Sequence, residues 1–433
     1  MSGSSAERAR DGRTQQLLER RRATLASSYR LFYSSPVHVV RGEGVWLFDA
    51  TGDQYLDAYN NVACVGHSHP RVVAAMAEQA GRLNTHTRYL TDETVDYAER
   101  LLTHFAAPLD RVVFTCTGSE ANDLAYRMAR AATGGEGFIV TDNAYHGVSA
   151  VTAGMSPSLG LGVAAFVRTV PPPTATGSGR DPGEEFGARV RDAAEQMAAA
   201  GVRPAALIVD TVFASDGVIA GPPGLLRPAA EEIRRAGGVL IADEVQAGFG
   251  RLGDGMWGYD RHGVRPDIVT LGKPMGNGYP IAGLVSSESL MSEFGSRARY
   301  FNTFGGNAVA CATASAVLDV IENDQLIANA MRVGTRLRRA IADLAARHPA
   351  VADVRGSGLF IGVELAPEGA AGPSATDAAR AVVDGLRDRR VLIGTAGPSA
   401  NVLKIRPPLP FSDANADQLL EALDGALGDL TAP

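Results

Sequence analysis

Between residues 111 and 286 the chain alternates short, apolar, β-branched runs with stretches whose apolar residues recur every three or four positions. Residues 111–116, 138–141, 206–209, 239–242, 268–271 and 284–286 read as strands, and 119–132, 186–200 and 225–236 as helices. The runs are apolar at nearly every position rather than at alternate ones, so both faces of their sheet must be covered. Strand–helix alternation then predicts an α/β unit on a mostly parallel sheet with helices on both sides. The breaker-rich segment 171–185 reads as a surface loop within that unit.

Outside this region the rhythm changes. Residues 37–60 read as short strands around a Thr51-Gly52-Asp53 turn. A helical stretch covers 306–347 with a break near 322–324. It is followed by a strand at 359–365, a helix at 375–388, strands at 391–394 and 402–406, and a helix at 412–427. This α+β pattern predicts a smaller domain over 305–433. The large domain then spans 61–304, and the segment 1–60 packs with the small domain.

Ligands of open α/β sheets sit beyond the carboxyl ends of the strands. The residues that follow four of the strands are Thr117-Gly-Ser-Glu-Ala-Asn122, Asp142-Asn-Ala-Tyr-His-Gly147, Asp243-Glu-Val-Gln246 and Gly272-Lys-Pro274. Four polar clusters on one rim make a candidate site.

Composition excludes several other roles. The 433 residues carry 48 acidic and 41 basic side chains, a net charge of −7, with no clustered basic stripe, which argues against nucleic-acid binding. No apolar run approaches the roughly 20 residues that span a bilayer, and residues 1–22 lack an apolar signal core, so a cytoplasmic location is expected. The short charged run Glu19-Arg20-Arg21-Arg22 reads as a solvated helix face. Three cysteines, Cys64, Cys116 and Cys311, are an odd number without ligand spacing, so neither a disulfide framework nor a metal site is expected.

Of the 41 basic residues, only Lys273 and Lys404 are lysine. Arginine stays charged at any accessible pH, whereas a desolvated lysine can lose its proton and become a nucleophile. Lys273 follows a strand end, where such chemistry is useful. Gly118 and Ser119 open a helix whose free N–H groups suit a phosphate, although Ser119 also suits a plain N-cap. Asp243 ends an apolar strand and needs a cation, either a protonated ring nitrogen or an arginine. Tyr145 can stack on a planar ring or simply be a buried turn residue. A phosphate anchor, a ring stack, an acid for a ring nitrogen and a nucleophilic lysine together describe a pyridoxal 5′-phosphate site. Neither a P-loop nor a dinucleotide fingerprint is present; Gly160-Leu161-Gly162 lacks both the third glycine and a preceding strand.

With these residues in view, the chain resembles the class III aminotransferases, fold-type-I pyridoxal-phosphate enzymes, from about residue 35 to 425. The likeness rests on Thr117-Gly-Ser-Glu-Ala-Asn122, Tyr145-His-Gly147, Ala242-Asp-Glu-Val-Gln246, Gly248-Phe-Gly-Arg251, Pro266-Asp267, Gly272-Lys-Pro274 and Asn302-Thr-Phe-Gly-Gly-Asn307. Within the class it is similar to the branch holding alanine–glyoxylate aminotransferase 2 and the amine phospho-lyases. That narrower likeness rests on Asn61-Val-Ala-Cys-Val-Gly-His67, Leu271-Gly-Lys-Pro-Met-Gly-Asn-Gly278 and Asn401-Val-Leu-Lys-Ile-Arg-Pro-Pro408.

The resemblance implies a role for each matching residue. Lys273 forms the Schiff base and shuttles a proton, and Asp243 keeps the ring nitrogen protonated. Val245 and Tyr145 take the two ring faces, and Gln246 lies near the phenolic oxygen. Gly118 and Ser119 hold the phosphate, with Thr303 reaching it from the neighbouring subunit of a homodimer whose active sites are shared. Many relatives grip a substrate carboxylate with an arginine three residues before the Pro-Pro pair, and mask it with a glutamate when empty. Here Lys404 stands at that position, Arg406 is displaced next to Pro407, and Ser215 stands where the glutamate is expected. Lys404 and Arg406 are thus the candidate substrate-binding residues. Transfer of an amino group from an amine or amino acid to an oxo acid is the leading expectation. Elimination of phosphate and ammonia from a phosphorylated amine is the alternative.

Overall fold

This computed structural model describes residues 12–174, 179–366 and 373–430. What the sequence implies for residues 1–11, and for 175–178 within the 171–185 loop, lies outside the described residues. The charged run 19–22 falls on the helix Gly12–Thr24, with Glu19, Arg20 and Arg22 exposed.

The central sheet has seven strands in the order Arg111–Thr115, Ala282–Ser286, Ile268–Leu271, Val239–Asp243, Pro204–Asp210, Gly137–Thr141 and Val167–Val170. Successive residues of one strand enter different cores. Leu207 and Val209 pack with Phe186, Val190 and Ile233, whereas Ala206 and Ile208 pack with Leu124, Ala125 and Met128. Both faces are therefore covered, as the uninterrupted apolar runs require.

Ala282–Ser286 runs antiparallel to both neighbours, and the other strands are parallel. The short 272–281 connection holds one 3₁₀ turn, too little chain for a right-handed crossover, so the strand returns antiparallel. Val167–Val170 escapes the apolar-run reading. It is an edge strand whose middle residues, Arg168 and Thr169, are polar and partly or fully exposed.

Two smaller sheets lie outside this core, one formed by Val39–Glu43, Trp46–Asp49, Gln54–Asp57 and Val391–Leu392, the other by Val351–Ser357, Phe360–Leu365, Val402–Ile405 and Gly394–Ala396. The expected single strand at 391–394 is thus two strands in two sheets. Val391–Leu392 pairs in parallel with Gln54–Asp57, while Gly394 joins Lys404 in the other sheet. Gly394 permits the change because a Cβ there would lie 2.4 Å from Cε2 of Tyr59. The helical stretch breaks at Gln325, whose φ of 53° separates Ala308–Asn323 from Leu326–Ala345. Ala308–Asn323 packs on the helices Pro70–Arg82 and Asp92–Leu102, which the sequence reading omits. Each buries two of its own residues, Val72 and Gln79 in the first and Tyr97 and Leu101 in the second, and Val73 and Val95 are exposed.

Candidate active site

The carboxyl ends of the sheet converge on one cleft lined by Gly118, Ser119, Asn122, Tyr145, His146, Gly147, Asp210, Asp243, Val245, Gln246 and Lys273. Every cofactor residue expected from the sequence lies here except Thr303, which sits on an exposed segment.

The helix Gly118–Thr133 begins with Thr117, not Ser119, as its N-cap. Thr117 Oγ1 accepts from the Glu120 N–H (3.1 Å), and Glu120 returns to the Thr117 N–H (2.9 Å). Ser119 is thereby released, and its hydroxyl accepts from the Val148 N–H at 3.1 Å. Two glycines let the rim close up. A Cβ on Gly118 would lie 2.9 Å from the Val245 methyls, and one on Gly147 (φ 137°) 2.5 Å from Ser119 Oγ.

Asp243 is 4% exposed and fully engaged. Its Oδ2 accepts from Asn122 Nδ2 and from His146 Nδ1, both at 2.8 Å, and its Oδ1 accepts from the Val245 N–H at 3.1 Å. A carboxylate only accepts, so His146 carries its proton on Nδ1. No arginine pairs with Asp243 among the described residues; the His146 ring takes that place as a hydrogen-bond donor. Asn122 is itself locked, accepting from Thr270 Oγ1 at 2.6 Å and donating to the His146 carbonyl at 2.8 Å. Sequence reasoning quoted Asn122 and His146 only as motif letters. The signal it passed over is a polar residue on the buried stripe of a helix, beside Ala121, Leu124 and Ala125.

Burial lowers the Lys273 ammonium pKa, and the positive charge of Arg406 lowers it further. Tyr145 is pushed up, by burial first and then by Asp243. Asp210 is raised for the same two reasons, although the Val212 and Ala214 N–H groups bond its carboxylate at 3.0 and 3.1 Å. It is a further cleft residue that the sequence reading did not assign.

Beyond Gln246 lies a cluster of cations. Arg406, 7% exposed, donates from Nη1 to Gln246 Oε1 (2.5 Å) and Asn61 Oδ1 (2.8 Å), with its guanidinium carbon 4.6 Å from the Tyr59 ring centre. Its Nε is buried without a partner. Arg251, 1% exposed, meets only the carbonyls of Leu359 and Pro407, and its Nε and Nη2 are unpartnered. Lys404 is 8% exposed, and its ammonium has no hydrogen-bond or ion-pair partner among the described residues. Burial, with Arg406 adding to it, lowers its pKa to about 7. Ser215 turns its backbone carbonyl to Asn143 Nδ2 (2.6 Å) and the Gly397 N–H (3.1 Å), tying the Tyr145 loop to the strand beside Lys404.

The model of one family, aminotransferase class-III, matches residues 31–427. The chain belongs to the class III aminotransferases. Among its relatives is a Drosophila melanogaster protein named alanine–glyoxylate aminotransferase 2-like, 38% identical over 412 residues, covering 92% of this chain and 83% of that protein. Another is a Caenorhabditis elegans protein named ethanolamine-phosphate phospho-lyase homolog 1, 34% identical over 436 residues and covering 95% and 93%. A solved phospholyase from Arthrobacter, in complex with phosphoethanolamine, superimposes with a TM-score of 0.92 at 41% identity, covering 96% of this chain and all of that one. This class III aminotransferase is therefore a fold-type-I enzyme that uses pyridoxal 5′-phosphate.

Proposed function

We propose that this enzyme eliminates phosphate and ammonia from a small phosphorylated primary amine. The observation that carries this reading is charge balance. Lys404, Arg406 and Arg251 are each more than nine-tenths buried, and none has a carboxylate hydrogen-bonded to it. Asp210 acts on Lys404 and Asp57 on Arg251 only through space, and buried charge so incompletely compensated is costly, so a ligand is expected to supply the balance. A substrate carboxylate brings one negative charge, whereas a phosphate dianion brings two and suits the site better. Ser215, in place of the glutamate, adds no competing anion. The phosphoethanolamine-bound relative supports the same substrate class.

The residues present fit the cofactor. Gly118 and Ser119 would hold its phosphate, in the space that their neighbours leave because Gly118 and Gly147 lack side chains. Asp243, its position set by Asn122 and His146, would face the ring nitrogen and keep it protonated. Tyr145 and Val245 would cover the two ring faces, and Lys273 would carry the covalent link. When bound, pyridoxal phosphate supplies an electron sink for the pair left by C–H cleavage.

Lys273, whose lowered pKa leaves a larger fraction of free amine at neutral pH, takes the proton from the carbon bearing nitrogen. Lys404 and Arg406 hold the phosphate while its C–O bond breaks and inorganic phosphate departs. Water then replaces nitrogen, leaving an aldehyde and ammonium.

Amino transfer is the second reading. It is favoured by the 38% identical relative named an aminotransferase, and it uses the same Lys273 and Asp243. The holoenzyme incubated with phosphoethanolamine and no oxo acid separates the two. Sustained release of phosphate and ammonia in equal amounts is expected. A single stoichiometric conversion to the pyridoxamine form, with no phosphate released, would overturn elimination.

We also infer a homodimer in which Thr303 reaches the partner's site. Tyr89, Leu90, Val148, Phe301 and Phe304 are exposed in the single chain, and Val148 adjoins the cleft through Ser119. Tyr89 and Phe301 both pack on His86, and exposed apolar side chains of this size call for a cover. A monomer by light scattering in the presence of cofactor would remove this inference.

A further inference from the structure

Arg406 stands behind the cleft residue Gln246, and its Nη1 is occupied by the two amide oxygens of Gln246 and Asn61, at 2.5 and 2.8 Å. We propose that Arg406 is a positioning residue for the cofactor, fixing the Gln246 amide so that its N–H donors, not its carbonyl, face the phenolic oxygen. This rests on the reading that places Gln246 beside that oxygen.

A carboxamide has nearly the same shape either way round, so packing alone seldom selects its orientation. Chemistry selects it here, because a guanidinium donates five N–H bonds and accepts none. Whatever atom of Gln246 it meets must be Oε1. The same argument fixes Asn61, whose Oδ1 faces Arg406 and whose Nδ2 then donates to the Gln246 main-chain carbonyl at 3.4 Å. The Gln246 N–H donors have no partner among the described residues, and the residue lines the cleft with Asp243, Val245 and Lys273.

The clamp is itself held. The Arg406 N–H donates to the Ala58 carbonyl at 2.8 Å, and two prolines, Pro407 and Pro408, follow it. The Tyr59 ring lies against the guanidinium. A cation on Oε1 also polarises the amide and strengthens its N–H groups as donors. One residue therefore joins two functions. Its Nη1 sets a donor for the phenolic oxygen, while its unquenched charge serves the substrate anion.

The test is a pH titration of the visible absorbance of the substrate-free holoenzyme. Losing a donor to an ionised oxygen raises its proton affinity, so Gln246→Leu should move the midpoint up by about one pH unit. Arg406→Met should move it in the same direction. Removing a cation does this directly as well, so the deciding measurement is the double variant. If Arg406 acts through Gln246, the double variant shifts no further than the larger single one; additive shifts would overturn the proposal. A shift in Gln246→Leu without one in Arg406→Met sinks the proposal alone. No shift in Gln246→Leu sinks the placement of Gln246 and the proposal with it. Arg406→Lys and Gln246→Glu serve if the first variants fail to take up cofactor. A lysine is shorter and lacks the rigid planar guanidinium, and a carboxylate has no donor, so upward shifts are expected from both. No shift in either overturns the proposal.

Discussion

The strand end at Asp243 lines the cleft, and the strand that carries Lys404 lies near it with the opposite electrostatic plan. Asp243 has three hydrogen bonds from Asn122, His146 and the Val245 N–H, and the first of these is locked in turn by Thr270. The Lys404 ammonium has no hydrogen-bond or ion-pair partner among the described residues, and Arg406 and Arg251 meet only neutral oxygens. A group whose charge must persist through every cycle is compensated by the protein. On the proposed reading, a group whose charge is matched by substrate is left open, at a cost in stability that binding offsets.

The largest expected effect falls at the point where both plans meet. Lys273→Ala should lower turnover about 10³-fold or more and abolish the visible band of the bound cofactor, read by stopped-time product assay and spectrum. Asp243→Asn comes next. It should reduce kcat by about a hundredfold and also destabilise the fold, because the buried Asn122 and His146 donors lose their charged acceptor. A thermal melt that does not move would show that the compensated network is dispensable.

Lys404→Met should behave in the reverse way. It should raise KM for a phosphorylated amine about tenfold to a hundredfold, the loss of one charge-assisted contact, with a smaller effect on kcat. The cofactor-free protein should melt no lower than the wild type, because a buried unpaired ammonium is removed. A large drop in melting temperature would erase the contrast between the two regions.

The smallest effect is a pH dependence. Burial and Arg406 depress Lys404 to about 7, so the side chain is charged below that pH and neutral above it. KM for the phosphorylated amine should therefore rise from pH 7 towards 9. Below about pH 6 the phosphate itself takes up a proton, so binding is best between the two limits. In Lys404→Met the rise above pH 7 should vanish; its persistence would assign that limb to another group.

Lys273 was legible from the sequence because lysine is so rare in this chain, and Asp243 because an acid ends an otherwise apolar strand. The helix N-terminus was legible too, but its division of labour was missed. Thr117, with Glu120 three residues on, carries the capping-box signature that the reading of Ser119 as a cap passes over. The 391–394 run gave no sign of a change of sheet, because its two partner strands, Gln54–Asp57 and Val402–Ile405, are not announced by its own residues. Arg406 was expected to bind substrate, and nothing near it in sequence announces Gln246 or Asn61.

Apolar periodicity is local, so the amino-acid order alone was enough for a mostly parallel sheet with four polar clusters on one rim. Charge balance is not local. Asn61, Gln246 and Arg406 come from three distant segments and meet within 3 Å, as do Asn122, His146 and Asp243. Hydrogen bonds act over that range and no further. Which charges are quenched, and which are left for a substrate, therefore emerged only once the chain had folded.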